Sequence, residues 1–156
     1  SVGGVWSRGG VGEYPGAACD VPSYMYLPLL DETGFIPSKK YVTQPEICSY
    51  AELLSKHLDI ESALIFDTEV IELQYVGKGK KTWRIKLRSA NETKGESYMT
   101  SQHVVCANGP LSSPRMPEFG GMDLFQGESF HTAKWNHEAV LTNKNVAVIG
   151  TGASAA

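Results

Sequence analysis

Val146-Ala147-Val148-Ile149-Gly150-Thr151-Gly152-Ala153-Ser154-Ala155 is an apolar run that ends in a glycine turn. Gly150 lets the chain turn tightly out of a strand, and Gly152 lets the backbone approach a pyrophosphate with no Cβ in the way. Ala155 allows a following helix to pack closely on its sheet. A bare G-x-G-x-x-A is a weak signal. The apolar stretch 145–149 strengthens it, because dinucleotide sites place this turn between a strand and a helix N-terminus. The plain alternative is a strand followed by an ordinary turn. The acidic or basic residue that separates NAD from NADP lies outside this stretch.

Upstream stands Phe125-Gln126-Gly127-Glu128-Ser129-Phe130-His131-Thr132-Ala133-Lys134-Trp135, which reads F-x-G-x-x-x-H-x-x-x-W. One reading makes Phe125 and Trp135 core anchors, Gly127 a turn and His131 an ordinary polar residue. The other makes the block a functional connector ahead of the glycine turn. Before it, His103-Val104-Val105-Cys106-Ala107 is unbroken, small and apolar, bounded by Asn108-Gly109-Pro110. Such a run predicts a strand buried on both faces, as in a parallel sheet.

Earlier still the period is two. Ala63 to Asp67 predicts a short apolar strand. Glu69 to Val76 and Thr82 to Ser89 alternate, with Trp83, Ile85 and Leu87 on one face and Arg84, Lys86 and Arg88 on the other. Gly77-Lys78-Gly79-Lys80 reads as the hairpin loop between them. Asn91 to Gly95 predicts a second turn and Glu96 to Ser101 a third strand, giving an antiparallel meander. A helix precedes it: Thr43 stands at its cap, Pro45 in its first turn, and Ile47, Tyr50, Leu54 and Leu58 at helical spacing.

The first 45 residues are rich in Gly, Pro and aromatics without a sustained period, which suits a long packed loop region. Gly3-Gly4-Val5-Trp6 allows backbone to pass close to a planar cofactor, with Trp6 packed against it. Tyr14-Pro15-Gly16-Ala17-Ala18-Cys19-Asp20 sets a carboxylate in apolar surroundings, where it needs a partner or a shifted pKa. The alternative is an Asp20 that accepts from loop amides.

Composition excludes several classes. A hydrophobic content of 42% with 20% charge fits a soluble globular protein. The net charge of −3 leaves no basic footprint for nucleic acid. No apolar run approaches the roughly 18 residues of a membrane helix. Cys19, Cys48 and Cys106 form neither a C-x-x-C pair nor a metal spacing, so free thiols in a reducing cytoplasm are expected and no metal site is. Ser1 in place of Met, and a glycine turn with no helix after it, lead to the expectation of a piece of a larger protein.

Taken together, these blocks resemble a type I Baeyer–Villiger monooxygenase, within the wider flavin-containing monooxygenase superfamily. Tyr41-Val42-Thr43-Gln44-Pro45-Glu46-Ile47 and Val105-Cys106-Ala107-Asn108-Gly109-Pro110-Leu111-Ser112 are similar as well, so the resemblance spans essentially the whole chain. N- and S-oxygenating relatives typically close the histidine motif with another aromatic than Trp135. Two features depart from the family pattern. The spacer from Ser7 to Glu13 is longer than usual, and Asn136 stands where Pro or Asp is preferred.

The resemblance implies an α/β fold: part of an FAD-binding dinucleotide fold with an antiparallel meander over about 68–101, running into the first strand of a second, NADP-binding dinucleotide fold. Residues 1–117 would be the late part of the FAD domain, 118–144 the linker, and 145–156 the start of the NADP domain. The implied cofactors are FAD and NADPH. The implied reaction inserts one atom of O2 into a small-molecule ketone through a peroxyflavin, giving an ester or lactone. Heteroatom (N or S) oxygenation and a non-catalytic nucleotide-binding remnant are the alternatives. By the same carry-over, Gly3, Gly4 and Trp6 lie against the flavin, and Asp20 and Tyr26 line its reactive side. Asp20 would orient a catalytic arginine supplied from outside these residues. Val70 matches an adenine contact through its backbone. Gly150, Thr151, Gly152, Ser154 and Ala155 form the NADP turn, and His131 and Trp135 act in positioning and motion of the linker.

Overall fold

A computed structural model describes residues 1–77, 79, 81–91, 93 and 95–155. Its regular elements are helices α1 (Ser23–Tyr26), α2 (Leu30–Thr33) and α3 (Gln44–His57), and strands β1 (Thr68–Val76), β2 (Thr82–Ser89) and β3 (Glu96–Ser101). The chain divides into two units, Ser1–Ile60 with Gly109–Ala156, and Glu61–Asn108.

Helix α3 organises the first unit. Thr43 is its N-cap, with extended backbone and no side-chain cap bond, and Pro45 sits in the first turn, where its missing N–H costs nothing. The Glu46 carboxylate instead reaches back to accept from the backbone N–H of Ser38 at 2.8 Å and from the Ser38 hydroxyl. Ile47 and Tyr50 are buried on one face, against Cys19, Leu27 and Val42, with Trp6, Leu30, Phe35 and Leu54 packed around them. Each fully buried side chain of this size contributes about 1.5–3 kcal/mol. Leu58, at the C-cap, is exposed rather than part of that stripe.

Polar groups in this core are paired. Ser23 is fully buried; its hydroxyl lies 3.0 and 2.9 Å from the Lys39 and Lys40 carbonyls and accepts from Val42 N–H at 3.1 Å. The Tyr50 hydroxyl donates to the Pro28 carbonyl, and its ring packs on Phe35 at 4.7 Å. A short antiparallel bridge joins Ala18 to Thr43, with Cys19 N–H donating to Val42 and Gln44 N–H to Ala17. Along this extended stretch Ala17 and Cys19 turn inward while Ala18 and Asp20 turn outward. Asp20 is therefore exposed, not set in apolar surroundings as its neighbours suggested.

The second unit carries the meander in the order β1-β2-β3, all antiparallel. Alternation works as expected on central β2: Ile85 and Leu87 are each 8% exposed, and Trp83 lies on the same face. Tyr75 faces Trp83 across the first hairpin with ring centroids 5.3 Å apart. On the opposite face Lys86 pairs with Glu96 at 2.6 Å, and Arg84 lies 4.1 Å over the Tyr98 ring. The hydrogen bond between them raises the Lys86 pKa and lowers that of Glu96. Of the two expected loops, Lys78 and Lys80 in one and Glu92 and Lys94 in the other lie outside the described residues.

Three expected strands do not form. Ala63–Asp67 begins as a 3-10 turn (Glu61–Ala63) and continues irregularly, with Ile65 and Phe66 exposed. Residues 103–107 and 145–149 have no ladder partner among the described residues, and Val105 is 87% exposed. An isolated apolar run does not satisfy its own backbone. It becomes a strand only where neighbours supply the hydrogen bonds.

Candidate functional site

The first unit brings several of the sequence-selected residues together. Gly3 and Gly4 have positive φ of 109° and 57°, and the chain then closes a 3-10 turn over Gly4–Trp6. A side chain at Gly4 would meet no atom within 4 Å, so open space adjoins this backbone. The Trp6 indole N–H donates to the Tyr26 hydroxyl at 2.6 Å, with the rings edge-on at 6.2 Å. Gly3, Gly4, Trp6 and Tyr26 thus form one cluster.

The long spacer after Trp6 folds on itself. Gly12 N–H donates to the Val5 carbonyl at 2.9 Å, Gly10 N–H to Ser7 at 2.9 Å, and the Glu13 carboxylate accepts from Gly9 N–H. The closure brings the chain back beside the point where it left. Tyr14 follows, and it is the junction of the site. Its hydroxyl donates to Ser154 Oγ at 2.9 Å, and its ring lies 6.5 Å from Trp135, which in turn meets Phe130 edge-on at 5.1 Å. Trp135 and Ser154, from two separate motifs, are joined through a residue that no motif role had singled out.

His131 caps the turn Thr132–Lys134: its Nδ1 accepts from Ala133 N–H at 3.0 Å. Trp135 is half-buried, whereas Phe125 is 64% exposed with its ring folded against Gly127. Phe125 is no core anchor here. In the glycine turn, Gly150 has φ of 149°, and a Cβ there would stand 3.4 Å from that of Ala155. Ala155 N–H donates to the Gly152 carbonyl at 2.8 Å, while Thr151 and the space beside Gly152 stay open.

Other expected residues are not gathered in. Asp20 makes no hydrogen bond or ion pair among the described residues and presents a solvated carboxylate. Val70 belongs to the second unit, half-exposed beside the bulge where the β1 register shifts between Val70 and Glu72. Three residues escaped the sequence reading. Tyr14, buried Gln44 and His137 line one open cleft of about 420 Å³ with Glu13, Thr43 and Pro45. Tyr14 stands in the Tyr14-Pro15-Gly16 block and Gln44 in the block 41–47, each without a role of its own in that reading. Among the described residues no group of three His, Cys, Asp or Glu side chains could hold a metal ion. No helix is long and apolar enough to cross a membrane.

Known proteins are similar to this chain in sequence and in fold. A family model described as flavin-binding monooxygenase-like matches residues 23–156. The FAD-binding monooxygenase ausB of Aspergillus calidoustus is 38% identical over 161 residues, covering 96% of this chain and 24% of the relative. The Baeyer-Villiger monooxygenase ATR8 of Stachybotrys chlorohalonatus is 36% identical over 160 residues, with 96% and 24% covered. Among solved structures, an oxidised steroid monooxygenase bound to NADP superposes with a TM-score of 0.77 at 38% identity, covering 99% of this chain and 28% of that one. The polycyclic ketone monooxygenase of Thermothelomyces thermophila gives 0.71 at 31% identity, with 85% and 21% covered. The chain spans about a quarter of the length of the curated relatives it matches. A match over residues 23–156, with relatives that align from one end of the chain to the other, settles its kinship: it belongs to the flavin-binding monooxygenase-like family.

Proposed function

We propose that this chain is part of an FAD- and NADPH-dependent monooxygenase that inserts one oxygen atom of O2 into a ketone, giving an ester or lactone. The observation that carries the reading is the Tyr14 junction. It joins the Trp that closes the F-x-G-x-x-x-H-x-x-x-W block to the serine of the glycine turn. Relatives named Baeyer-Villiger and polycyclic ketone monooxygenases support the ketone as substrate class.

The residues present fit both cofactors. The open backbone at Gly3-Gly4 leaves room for a ring system, and the edge-on Trp6–Tyr26 pair would border it with aromatic surface. Gly150, Thr151 and Gly152 would offer amides and the Thr151 hydroxyl to a pyrophosphate, while Ala155 closes the turn through its N–H to Gly152 and Ser154 ties it to Tyr14. Val70, at a strand bulge, would give backbone contacts to the adenine. When bound, the flavin supplies the redox and oxygen chemistry. The chain's own work is to orient it, keep water out and place charge beside it. Asp20 is exposed and has no partner among the described residues, which suits a carboxylate that orients an arginine contributed from elsewhere in the parent. His131 fixes the turn that presents Trp135, so both act in positioning the linker.

In this reading 1–117 belong to the FAD-binding part, 118–144 to the linker and 145–156 to the NADP-binding part. The apolar runs 103–107 and 145–149 gain their ladder partners from the rest of the parent's dinucleotide folds. The full-length protein tests it. Purified with FAD, it should convert a cyclic or steroid ketone to product carrying one labelled atom from isotopic O2, with NADPH consumed in equal amount. A labelled sulfoxide or N-oxide with no ester would move the assignment to heteroatom oxygenation. Flavin binding without NADPH oxidation would move it to a non-catalytic protein.

A further inference from the structure

We propose that Gln44 is a positioning residue for Trp6, holding the backbone on both sides of the Ser7–Glu13 loop to one helix end. Its side-chain amide donates to the Trp6 carbonyl at 2.7 Å, across 38 positions of sequence. Its own backbone N–H donates to the Ala17 carbonyl at 2.8 Å. Trp6 precedes the loop and Ala17 follows it, so one residue grips both arms. Gln44 is 6% exposed, and it opens α3, whose Ile47 and Tyr50 are anchored at 4% and 2% exposure. The grip is therefore rigid, while the loop beyond it closes through its own Gly12–Val5 and Gly10–Ser7 bonds. Loop length is a weak thermodynamic constraint. The place of Trp6 is set by the amide below it and by Tyr26 at the indole nitrogen.

Only a donor of this reach serves. A carbonyl needs an N–H or O–H, an ionised carboxylate would repel it, and an apolar residue would leave it without a protein partner in a part-buried position. The role in positioning rests on the flavin reading above, since it matters to turnover because Trp6 borders the flavin.

The test uses the full-length parent loaded with FAD and compares Gln44→Leu and Gln44→Glu with wild type across pH. The readouts are kcat and ketone KM, the visible circular dichroism of the flavin, and the near-ultraviolet signal of Trp6 identified by Trp6→Phe. Gln44→Leu should lower kcat about tenfold or more, with KM within about twofold, and should alter both optical signals. In Gln44→Glu the introduced carboxyl donates while protonated and repels once ionised. Wild-type-like kcat and Trp6 signal at acidic pH should therefore fall away as pH rises through its raised pKa. Glu13, Tyr14 and His137 line the same cleft, so the wild-type pH profile is the baseline. A Gln44→Leu protein with unchanged kcat and Trp6 signal overturns the proposal, as does a Gln44→Glu protein with the wild-type pH profile. If Gln44→Leu does not fold, the pH series of Gln44→Glu decides alone. A wild-type parent that binds no flavin would overturn the functional reading instead, and the Trp6 signal of the variants would still decide whether Gln44 positions Trp6.

Discussion

The Tyr14 hydroxyl and Ser154 Oγ stand 2.9 Å apart, a hydrogen bond spanning 140 positions of sequence. It holds the glycine turn against the Tyr14-Pro15-Gly16 segment, while the Tyr14 ring meets Trp135. Tyr14→Phe keeps the ring and removes only the bond. In the full-length parent it should weaken NADPH binding by about 0.5–1.5 kcal/mol, roughly two- to tenfold, because the turn is less pre-organised. Ser154→Ala should do the same, and the double variant should be no worse than either. Titration of NADPH binding gives the cycle; additive losses would mean the two hydroxyls act separately.

The Ser7–Glu13 loop makes a prediction about stability. A Cβ on Gly12 would sit 2.7 Å from the Val5 carbonyl oxygen, backbone that has no freedom to yield. Gly12→Ala should therefore cost about 1–3 kcal/mol, in the range of overpacked sites. Gly120 has open space around it and no positive φ, so Gly120→Ala should stay within about 0.5 kcal/mol. Urea unfolding of both variants, read by Trp fluorescence, separates the outcomes. Equal midpoints would show that the loop is not closed in this way.

What the sequence revealed follows from the range of each signal. Strands β1, β2 and β3 carry their period within themselves, and glycine-bearing loops mark where they turn, so the meander was legible. So was α3, through Ile47, Tyr50 and Leu54. The runs 103–107 and 145–149 are apolar enough for strands, yet a strand also needs neighbours that no local pattern supplies. Links such as Gln44 to Trp6 or Tyr14 to Ser154 rest on single polar residues far apart in sequence, which leave no periodic trace. Asp20 is a different failure. Its apolar neighbours suggested burial, but the bridge between Ala18 and Thr43 makes the stretch extended and turns every second side chain outward.

Lys86 and Glu96 give the meander a pH dependence. Glu96 is held below its ordinary pKa by the hydrogen bond from Lys86, so its contribution is present above the unfolded-state value and is lost as pH falls through the lowered folded-state one. Lys86 is raised by the same bond, so its contribution is present below the unfolded-state value and fades as pH rises through the raised one. Glu96→Gln should flatten the acid side of the stability profile, with salt reducing the difference at this exposed pair. Unfolding midpoints from acidic to neutral pH check this. An unchanged acid slope would show that the pair adds nothing.

Asp20 offers the sharpest separation of function from fold. Its carboxylate is exposed, and no group among the described residues pairs with it. Removing the charge takes nothing from the packing of this chain, so Asp20→Asn should change stability by no more than about 0.5 kcal/mol. Asn also keeps the size and one acceptor. If Asp20 orients an arginine of the parent beside the flavin, the same change should uncouple the enzyme: NADPH is still consumed, ester formation falls, and hydrogen peroxide rises. The cation would lose the charge that fixes its direction, and a misdirected guanidinium no longer favours oxygen transfer over release. The measurement is the ratio of ester formed to NADPH consumed, with peroxide assayed in parallel and the unfolding midpoint on the same preparation. An unchanged ratio at unchanged stability would leave Asp20 a solvated surface residue. A lowered ratio accompanied by a large loss of stability would place it in the fold rather than in the chemistry.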